Sequence, residues 1–259
     1  MNLLFAYMEV RVLKGKVVLI TGASRGIGAA TAIEMAGLGA SIAVNYSRSE
    51  DAAVEVVRRI RESGGTAIAV KADVTVCQEI RAMVGEVEQK LGPIDVLVSN
   101  AAIGFPSVPF IEYEWRDFEA KLTGELKAAF WCAKSVLPSM LERKCGSIIF
   151  VSSTLSRHPG FGFVAHSTAK SGLDAFAKSL AEELGPSGIR VNVVAPGLTI
   201  TEATERVPQQ QKELIARFTP LRRNGQPEDI AGAIALLASD HAKFLTGNYI
   251  TADGGAYKV

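Results

Sequence analysis

The chain has 259 residues, of which 48% are apolar and 21% charged, a balance that supports a sizeable buried core and excludes a disordered protein. Its formal net charge of +1 gives no field that would gather nucleic acid or an anionic membrane surface. The three cysteines Cys77, Cys132 and Cys145 form no close pair, and no His, Cys or carboxylate spacing indicates a metal site. No apolar run approaches the length of a spanning helix. We therefore expect a cytoplasmic protein without a disulfide framework, a metal, or a nucleic-acid or membrane partner.

Short β-branched runs alternate with longer helical patterns from Val17 onwards, which is typical of βαβ units and a parallel sheet. The seven runs are Val17–Thr21, Ser41–Tyr46, Ala67–Lys71, Val96–Ser99, Ser147–Val151, Arg190–Ala195 and Asn248–Thr251. They are almost continuously apolar, as expected when helices cover both faces of the sheet. The pattern predicts an α/β fold: one Rossmann-type doubly wound domain over residues 14–259, with a seven-stranded parallel sheet flanked by helices. Residues 1–13 are interpreted as a flexible N-terminal extension.

A glycine-rich turn, Thr21 to Gly28, follows the first predicted strand, and the helical pattern Ala29–Leu38 follows the turn. Glycines here let the backbone bend tightly and approach a pyrophosphate, whose charge the exposed N–H groups of the new helix favour. Strand, glycines and helix in the first βα unit are a much more specific signal than a glycine triplet alone. The alternative is that the glycines serve only close packing of helix on strand.

The end of the second strand indicates which nicotinamide cofactor is bound. A cofactor without a 2′-phosphate is usually held by an acidic side chain at this point, but the chain reads Asn45-Tyr46-Ser47-Arg48, with no acid before Glu50. Arg25 in the turn and Arg48 could instead pair with a 2′-phosphate. We therefore favour NADP(H), with NAD(H) as the alternative.

Further motifs follow the turn in order along the chain. They are Asp73-Val74, Ser99-Asn100-Ala101-Ala102, Pro196-Gly197 with Thr201, and Asp253-Gly254-Gly255. Together with the TGxxxGxG spacing of the turn, they resemble the short-chain dehydrogenase/reductase (SDR) family from about Lys14 to Gly255. The resemblance implies an NAD(P)-dependent oxidoreductase that forms a homotetramer or a homodimer. The cofactor-binding residues predicted from the turn, the second strand and these motifs are Gly22, Ser24, Arg25, Gly26, Ile27, Gly28, Asn45, Tyr46, Ser47, Arg48, Asp73, Val74, Asn100, Ala101, Ala102, Lys170, Pro196, Gly197 and Thr201.

The resemblance breaks at the catalytic positions. The family places a Ser after the fifth strand and a Tyr and a Lys four residues apart on the next helix, and Ser153 and Lys170 match two of these. The Tyr position is His166, and no tyrosine lies between Phe150 and Leu180 that a register shift could bring there. The family also has an Asn on the preceding long helix. If segment 125–130 is aligned with the family motif, Glu125 takes the position of this Asn. The segment 121–124, Lys-Leu-Thr-Gly, is a competing match to the same motif. The predicted catalytic residues are Ser153, His166, Lys170 and Glu125.

His166 and Lys170 are one helical turn apart and share a face, so both can reach one site. The ammonium disfavours the charged imidazole, which predicts a neutral His166 that polarises a carbonyl or acts as a base. If Glu125 lies beside Lys170, its carboxylate counters the ammonium and restores an imidazolium acid.

Ligands of such sheets bind beyond the carboxyl ends of the strands, so we expect a pocket lined by residues 103–111, 155–164 and 198–218. Its aromatic and apolar side chains favour a small, moderately hydrophobic carbonyl or alcohol as substrate. The principal prediction is an NADP(H)-dependent oxidoreductase that interconverts a carbonyl and a secondary alcohol by hydride transfer. An SDR-like cofactor-binding protein with little redox activity is the first alternative, and a Ser153/His166/Glu125 hydrolase is the second.

Overall fold

A computed structural model describes residues 11–257 and contains one seven-stranded sheet in which every neighbouring pair is parallel. The strands are β1 (Val17–Ile20), β2 (Ser41–Tyr46), β3 (Thr66–Lys71), β4 (Val96–Ser99), β5 (Gly146–Val151), β6 (Ile189–Pro196) and β7 (Tyr249–Ala252). Each predicted strand is found, with boundaries that differ by at most one residue at either end. The predicted fold class is therefore confirmed.

The strand order across the sheet is β3-β2-β1-β4-β5-β6-β7. The order changes direction between β1 and β4, because the chain adds strands on one side of β1 and then continues on the other. A crevice forms at such a switch point, beyond the carboxyl ends of the strands, and ligands of open α/β sheets bind there. The glycine turn after β1 and Asn100 after β4 both lie at this crevice.

Helices cover both faces of the sheet. They are α1 (Gly26–Gly37), α2 (Glu50–Glu62), α3 (Cys77–Leu91), α4 (Trp115–Arg143), α5 (Val164–Leu184), α6 (Gln209–Phe218) and α7 (Pro227–Ala238). Buried residues of α1, α2 and α7 form one core with Val18 and Ile20 of β1, and those of α3, α4 and α5 form a second core with Val17 and Leu19. Alternate residues of each strand thus enter opposite cores, which explains why the strands are apolar throughout.

The predicted N-terminal extension lies mostly outside the described residues. Its last residue, Leu13, is fully buried in the first core, and its N–H donates to the Leu38 carbonyl at 3.0 Å. The fold therefore includes Leu13, which the sequence had placed in the extension.

Helix α6 differs from its neighbours because it has no buried residue, although it carries Leu214 and Phe218. Over residues 11–257, no helix combines the length and apolarity needed to cross a membrane. In the same range, no three His, Cys, Asp or Glu side chains are grouped in a way that could hold a metal ion.

Candidate active site

The glycine turn depends on the absence of side chains at two positions. A Cβ on Gly22, whose φ is +61°, would lie 2.9 Å from Ala101 Cα, and a Cβ on Gly28 would lie 2.6 Å from the Gly22 carbonyl oxygen. Both contacts are with backbone atoms, which cannot move away as a flexible side chain could. The turn therefore packs closely both on itself and on the segment after β4.

The N-terminus of α1 has unpaired donors. Its capping residue Arg25 makes no side-chain hydrogen bond to the helix, and the first turn has no acidic residue. Thr201 lies next to the turn, since a Cβ on Gly26 would be 3.4 Å from Thr201 Cγ2. Free amide donors at a helix N-terminus are suited to a phosphate, so this part of the chain fits the pyrophosphate of a dinucleotide.

Polar side chains behind the turn hold it in place. Buried Asn45 accepts a hydrogen bond from Gly22 N–H at 3.1 Å, and its amide donates to the Ala72 carbonyl at 3.1 Å. Asn100 Nδ2 donates to the carbonyls of Thr21 and Gly22 at 2.9 and 3.1 Å. Thr21 Oγ1 in turn accepts the Asn100 and Ala101 N–H groups, each at 3.0 Å. Asn45 and Asn100, both predicted to contact the cofactor, thus use their side chains to shape its crevice.

The end of β2 is open to solvent and basic. Tyr46 is buried, whereas Ser47 and Arg48 are exposed. The guanidinium of Arg25 reaches across from the turn and donates to Ser49 Oγ. An arginine from the turn is therefore directed towards the end of β2, where the adenosine ribose of a dinucleotide binds in such folds.

The remaining predicted cofactor residues lie in the glycine turn, at the start of α1, or at and just after the ends of the strands. Asp73 accepts hydrogen bonds from Thr75 Oγ1 and Thr75 N at 2.7 and 2.8 Å, which hold the pKa of its carboxyl below the usual value. Gly197 packs on Asp253, because a Cβ there would lie 2.9 Å from Asp253 Cβ. The other members of the set are Ser24 and Ile27, both half-buried, Val74 and Pro196, both buried, and Ala102, which is exposed.

Lys170 joins α5 to the carboxyl end of β5. Its ammonium is buried and donates to the Val151 carbonyl at 2.7 Å, two residues before Ser153. Ser153 begins a short 3₁₀ turn, where its Oγ accepts the Leu155 N–H at 3.2 Å. The carbonyl of Ser153 is held by Tyr249 Oη at 3.2 Å. Both predicted residues therefore have fixed positions at the strand end.

Glu125 lies between two buried lysines. Its Oε1 contacts Lys170 Nζ at 2.5 Å, and its Oε2 contacts Lys121 Nζ at 2.6 Å. Burial alone would raise the pKa of the Glu125 carboxyl, but Lys170 and Lys121 outweigh it and lower that pKa to about 2. The two competing matches to the family's Asn position thus both enter the site, one helical turn apart on α4.

Lys121 is the functional candidate that sequence reasoning left out of the site. It is fully buried, and its ammonium also donates to the Ile103 carbonyl at 2.8 Å. The signal in the sequence was the competing match at residues 121–124. That match was set aside in favour of Glu125, although a helix carries both positions on one face.

His166 is enclosed by aromatic rings. Its imidazole stacks on Phe105 with ring centroids 4.7 Å apart, and Phe163 lies at 6.3 Å. Among the described residues its buried Nδ1 has no hydrogen-bond partner. Burial first, and then Lys121 and Lys170, lower the pKa of the imidazole to about 3, with Glu125 acting in the opposite direction.

The imidazolium expected from a neighbouring Glu125 is therefore not supported. Glu125 does lie beside Lys170, but it shares its single negative charge with Lys121, so the cluster keeps one excess positive charge. The imidazole is also removed from water, which disfavours its charged form. The neutral His166 expected from Lys170 alone agrees with the structure.

The predicted pocket is aromatic only in its inner part. Phe105 and Phe163 approach each other at 5.9 Å beside His166. Phe110 and Phe161 are 77% and 85% exposed, so they form no enclosed wall.

Comparison with known proteins agrees with this geometry. Residues 22–257 match the family model described as enoyl-(acyl carrier protein) reductase. A 3-oxoacyl-[acyl-carrier-protein] reductase of Synechocystis sp. is 41% identical over 244 residues, which cover 94% of this chain and 97% of that protein. The corresponding reductase FabG of Staphylococcus aureus is 39% identical, over 93% of this chain and 98% of its own. An uncharacterized oxidoreductase of Methylorubrum extorquens is 41% identical over 250 residues, which cover 94% of this chain and 98% of that protein.

A parallel sheet with a crevice at its switch point is typical of a Rossmann-type dinucleotide-binding fold. With the family match over nearly its whole length, the chain belongs to the short-chain dehydrogenase/reductase family. It is thereby an NAD(P)-dependent oxidoreductase that acts on a carbonyl or alcohol group.

Proposed function

We propose that this protein is an NADP(H)-dependent reductase that converts a 3-oxoacyl thioester into the corresponding 3-hydroxyacyl thioester. Two relatives that carry a 3-oxoacyl reductase name support this substrate class. An acyl chain also fits the apolar surface that Phe105 and Phe163 present beside His166. The reaction is one case of the interconversion of a moderately hydrophobic carbonyl and a secondary alcohol.

The proposal is carried by one observation, the fixed position of Lys170. Its bond to the Val151 carbonyl holds α5 against the end of β5, so Ser153, His166 and Lys170 stand at the same sheet edge as the glycine turn. A carbonyl held there would lie next to a dinucleotide in the crevice. Proximity of this kind is what hydride transfer requires.

A bound nicotinamide supplies the hydride, and the side chains polarise and protonate the carbonyl oxygen. Ser153 Oγ donates a hydrogen bond to this oxygen. His166, with Nδ1 enclosed, presents Nε2–H and acts as a neutral electrophile. As the carbon is reduced, the Nε2 proton passes to the oxygen, and solvent restores it when the product leaves. Lys170 orients the ribose of the cofactor and, with its positive charge, stabilises the negative charge that develops.

The preference for NADP(H) over NAD(H) rests on the basic end of β2. Arg25, already directed towards Ser49, and exposed Arg48 supply the guanidinium groups that a 2′-phosphate would pair with. No acidic side chain stands at the end of β2 to hold an unphosphorylated ribose.

We also place the protein in the cytoplasm, where Cys77, Cys132 and Cys145, all free thiols, remain reduced.

The decisive experiment measures NADPH oxidation with a 3-oxoacyl thioester such as acetoacetyl-coenzyme A for the parent, His166→Phe and His166→Tyr. We expect His166→Phe to lose about 100-fold or more in turnover, as for removal of a general acid, while its NADPH affinity stays unchanged. His166→Tyr has the longer side chain of the family and should retain turnover. Equal rates for the parent and His166→Phe would remove any chemical role for His166.

The same assay separates the alternatives. Tight NADPH binding without turnover on any carbonyl or alcohol would indicate a cofactor-binding protein that has lost its redox chemistry. Hydrolysis of a nitrophenyl ester that disappears in Ser153→Ala would indicate the Ser153/His166/Glu125 hydrolase.

We further propose that α4 and α5 mediate a homodimer or homotetramer. Phe130 and Leu141 of α4 are 40% and 41% exposed, and Phe176 of α5 lies 6.4 Å from the Phe130 ring. Exposed apolar side chains on adjacent helices are typical of a subunit interface. Light scattering should give a multimer for the parent and a smaller species for Phe130→Glu, whereas identical masses would exclude this interface.

A further inference from the structure

Lys121 is a lysine whose burial calls for an explanation. It has no exposed surface and is the largest of the fully buried side chains among the described residues. Lysine is almost never completely buried unless it is paired, because the loss of hydration disfavours its charge. Its ammonium satisfies this condition with Glu125 Oε2 at 2.6 Å and the Ile103 carbonyl at 2.8 Å.

The pairing leaves the cluster unbalanced. Lys121 and Lys170 bring two positive charges to the single carboxylate of Glu125, so these three side chains together carry one excess positive charge. Lys121 Nζ also lies 5.1 Å from the centroid of the Phe105 ring, and the imidazole of His166 stacks on the same ring. The excess charge therefore lies close to His166.

From this arrangement we infer that Lys121 is a positioning residue, whose ammonium keeps His166 neutral and stabilises negative charge on the substrate oxygen. The inference rests on the proposed function and adds to it a residue from the preceding helix. With Lys121 in place, Glu125 does not neutralise Lys170 completely. The remaining positive charge lowers the pKa of the His166 imidazole. Without Lys121, the Lys170–Glu125 pair would be balanced.

The charged groups around His166 come from two helices. Lys121 and Glu125 belong to α4. Lys170 belongs to α5, one helical turn after His166 itself. Burial contributes most to the lowered pKa of His166, and Lys121 comes next, ahead of Lys170. Lys121 thus exerts the largest effect of any charged group on the imidazole, although it is in contact with neither substrate nor cofactor in the proposed reaction.

The consequence for the reaction follows from charge balance. Hydride adds to the carbonyl carbon, the electron pair of the C=O π bond moves to oxygen, and the Nε2 proton of His166 joins that oxygen. Negative charge passes from the oxygen to the imidazole ring until solvent returns a proton. Two nearby ammonium groups stabilise this charge at both stages, which is how fixed charges lower the barrier of such a step.

The test is NMR titration of the imidazole in protein labelled with ¹³C-histidine. The chain has three histidines, so the His166 signal can be assigned by its loss in His166→Phe. In the parent we expect His166 to titrate with a midpoint near pH 3, far below the ordinary histidine range. In Lys121→Met the midpoint should rise by at least about one pH unit, equivalent to a tenfold change in proton affinity. The matched control is Lys127→Met, an exposed lysine of the same helix, which should leave the midpoint unchanged.

Each outcome bears on the inference. A midpoint near 6.5 in the parent, or no change in Lys121→Met, would overturn it. So would a loss of turnover in Lys121→Met without a shift of the His166 midpoint, since Lys121 would then have only a structural role. If Lys121→Met does not fold, Lys121→Gln keeps a donor for the Ile103 carbonyl and gives the same readout. The titration needs neither cofactor nor substrate, so failure of the 3-oxoacyl assay alone would refute only the proposed substrate.

Discussion

The two halves of the site are built in different ways. The dinucleotide crevice after β1 presents mainly backbone groups, namely the bend at Gly22 and the free N–H groups of α1. The proposed catalytic edge after β5 consists of side chains: Ser153, His166, and Lys170 with its partner Glu125. The first half contains the glycine motif, and the second contains His166, which we propose to occupy the family's tyrosine position.

This difference in construction indicates in which half the substitution of one residue requires a second substitution to compensate for it. A site built from backbone groups needs small residues where the chain packs closely, as at Gly28, where no Cβ can be accommodated. It places few other restrictions on the identity of its residues. A side-chain site ties each residue to the charge of its neighbours. With His166 in place, the charges of Lys121, Glu125 and Lys170 add to the effect of burial on the pKa of the imidazole, so these four positions form one unit.

The largest effect is expected from Glu125→Gln in the catalytic half. Replacing this carboxylate removes the ion-pair partner that buried Lys121 and Lys170 share, and breaking a buried ion pair costs about 3–5 kcal/mol. Chemical denaturation should show this loss in the free energy of unfolding. The matched control is Glu119→Gln, an exposed glutamate of the same helix, for which we expect a change within about 0.5 kcal/mol. Equal stability of Glu125→Gln and the parent would mean that the cluster is not charged as described.

The pH dependence of the parent tests the same cluster. The folded protein lowers the pKa of Glu125 from 4.5 to about 2, so the stability from its charge is complete above pH 4.5 and is lost as the pH falls towards 2. His166, lowered from 6.5 to about 3, acts in the same direction, because the unfolded chain binds its proton first. The free energy of unfolding should therefore decrease from about pH 6.5 downwards, and less steeply below pH 4.5 in Glu125→Gln. A parent whose stability is constant from pH 6.5 to 3 would contradict both shifts.

A smaller effect is expected from Gly28→Ala in the crevice. The new Cβ would lie 2.6 Å from the Gly22 carbonyl oxygen, so the turn must open. Overpacking of this kind costs about 1–3 kcal/mol, and we expect NADPH affinity to fall by about 100-fold because the phosphate donors move. Gly37→Ala, at the end of the same helix with nothing within 4 Å of the new Cβ, is the control and should bind NADPH normally. Normal binding by both variants would refute the assignment of this turn to the cofactor.

The sequence predicted the crevice better than the catalytic edge, and the reason is physical. Strands, glycines and helix starts follow from local patterns, so all seven strands and the turn at Gly22–Gly28 were found in place. The partners of a side chain are not local. Periodicity placed His166 and Lys170 on one face, but it could not show that Glu125 divides its charge between two lysines. The imidazolium expected from Glu125 was wrong for that reason, and Lys121 was missed.

Burial of polar side chains was the other feature that the sequence could not provide. Asn45 and Asn100 were predicted as cofactor contacts from their motifs, yet each uses its amide to hold the glycine turn. A motif records that a residue type is needed at a position. Whether the residue faces the ligand or the backbone behind it depends on packing between β1, β2 and β4, which no local pattern describes.

The smallest effect is expected at the basic end of β2, where the crevice offers charged side chains to the cofactor. In Arg25→Ala the guanidinium beside Ser49 is lost, and with it one charged partner for a 2′-phosphate. We expect NADPH affinity to fall by about tenfold, or 1.4 kcal/mol, while NADH affinity stays within about twofold, since NADH has no phosphate there. Fluorescence titration with both cofactors, and with Arg59→Ala as an exposed control on α2, measures this. An equal loss for NADPH and NADH would assign Arg25 to the pyrophosphate, and tighter binding of NADH by the parent would reverse the cofactor preference.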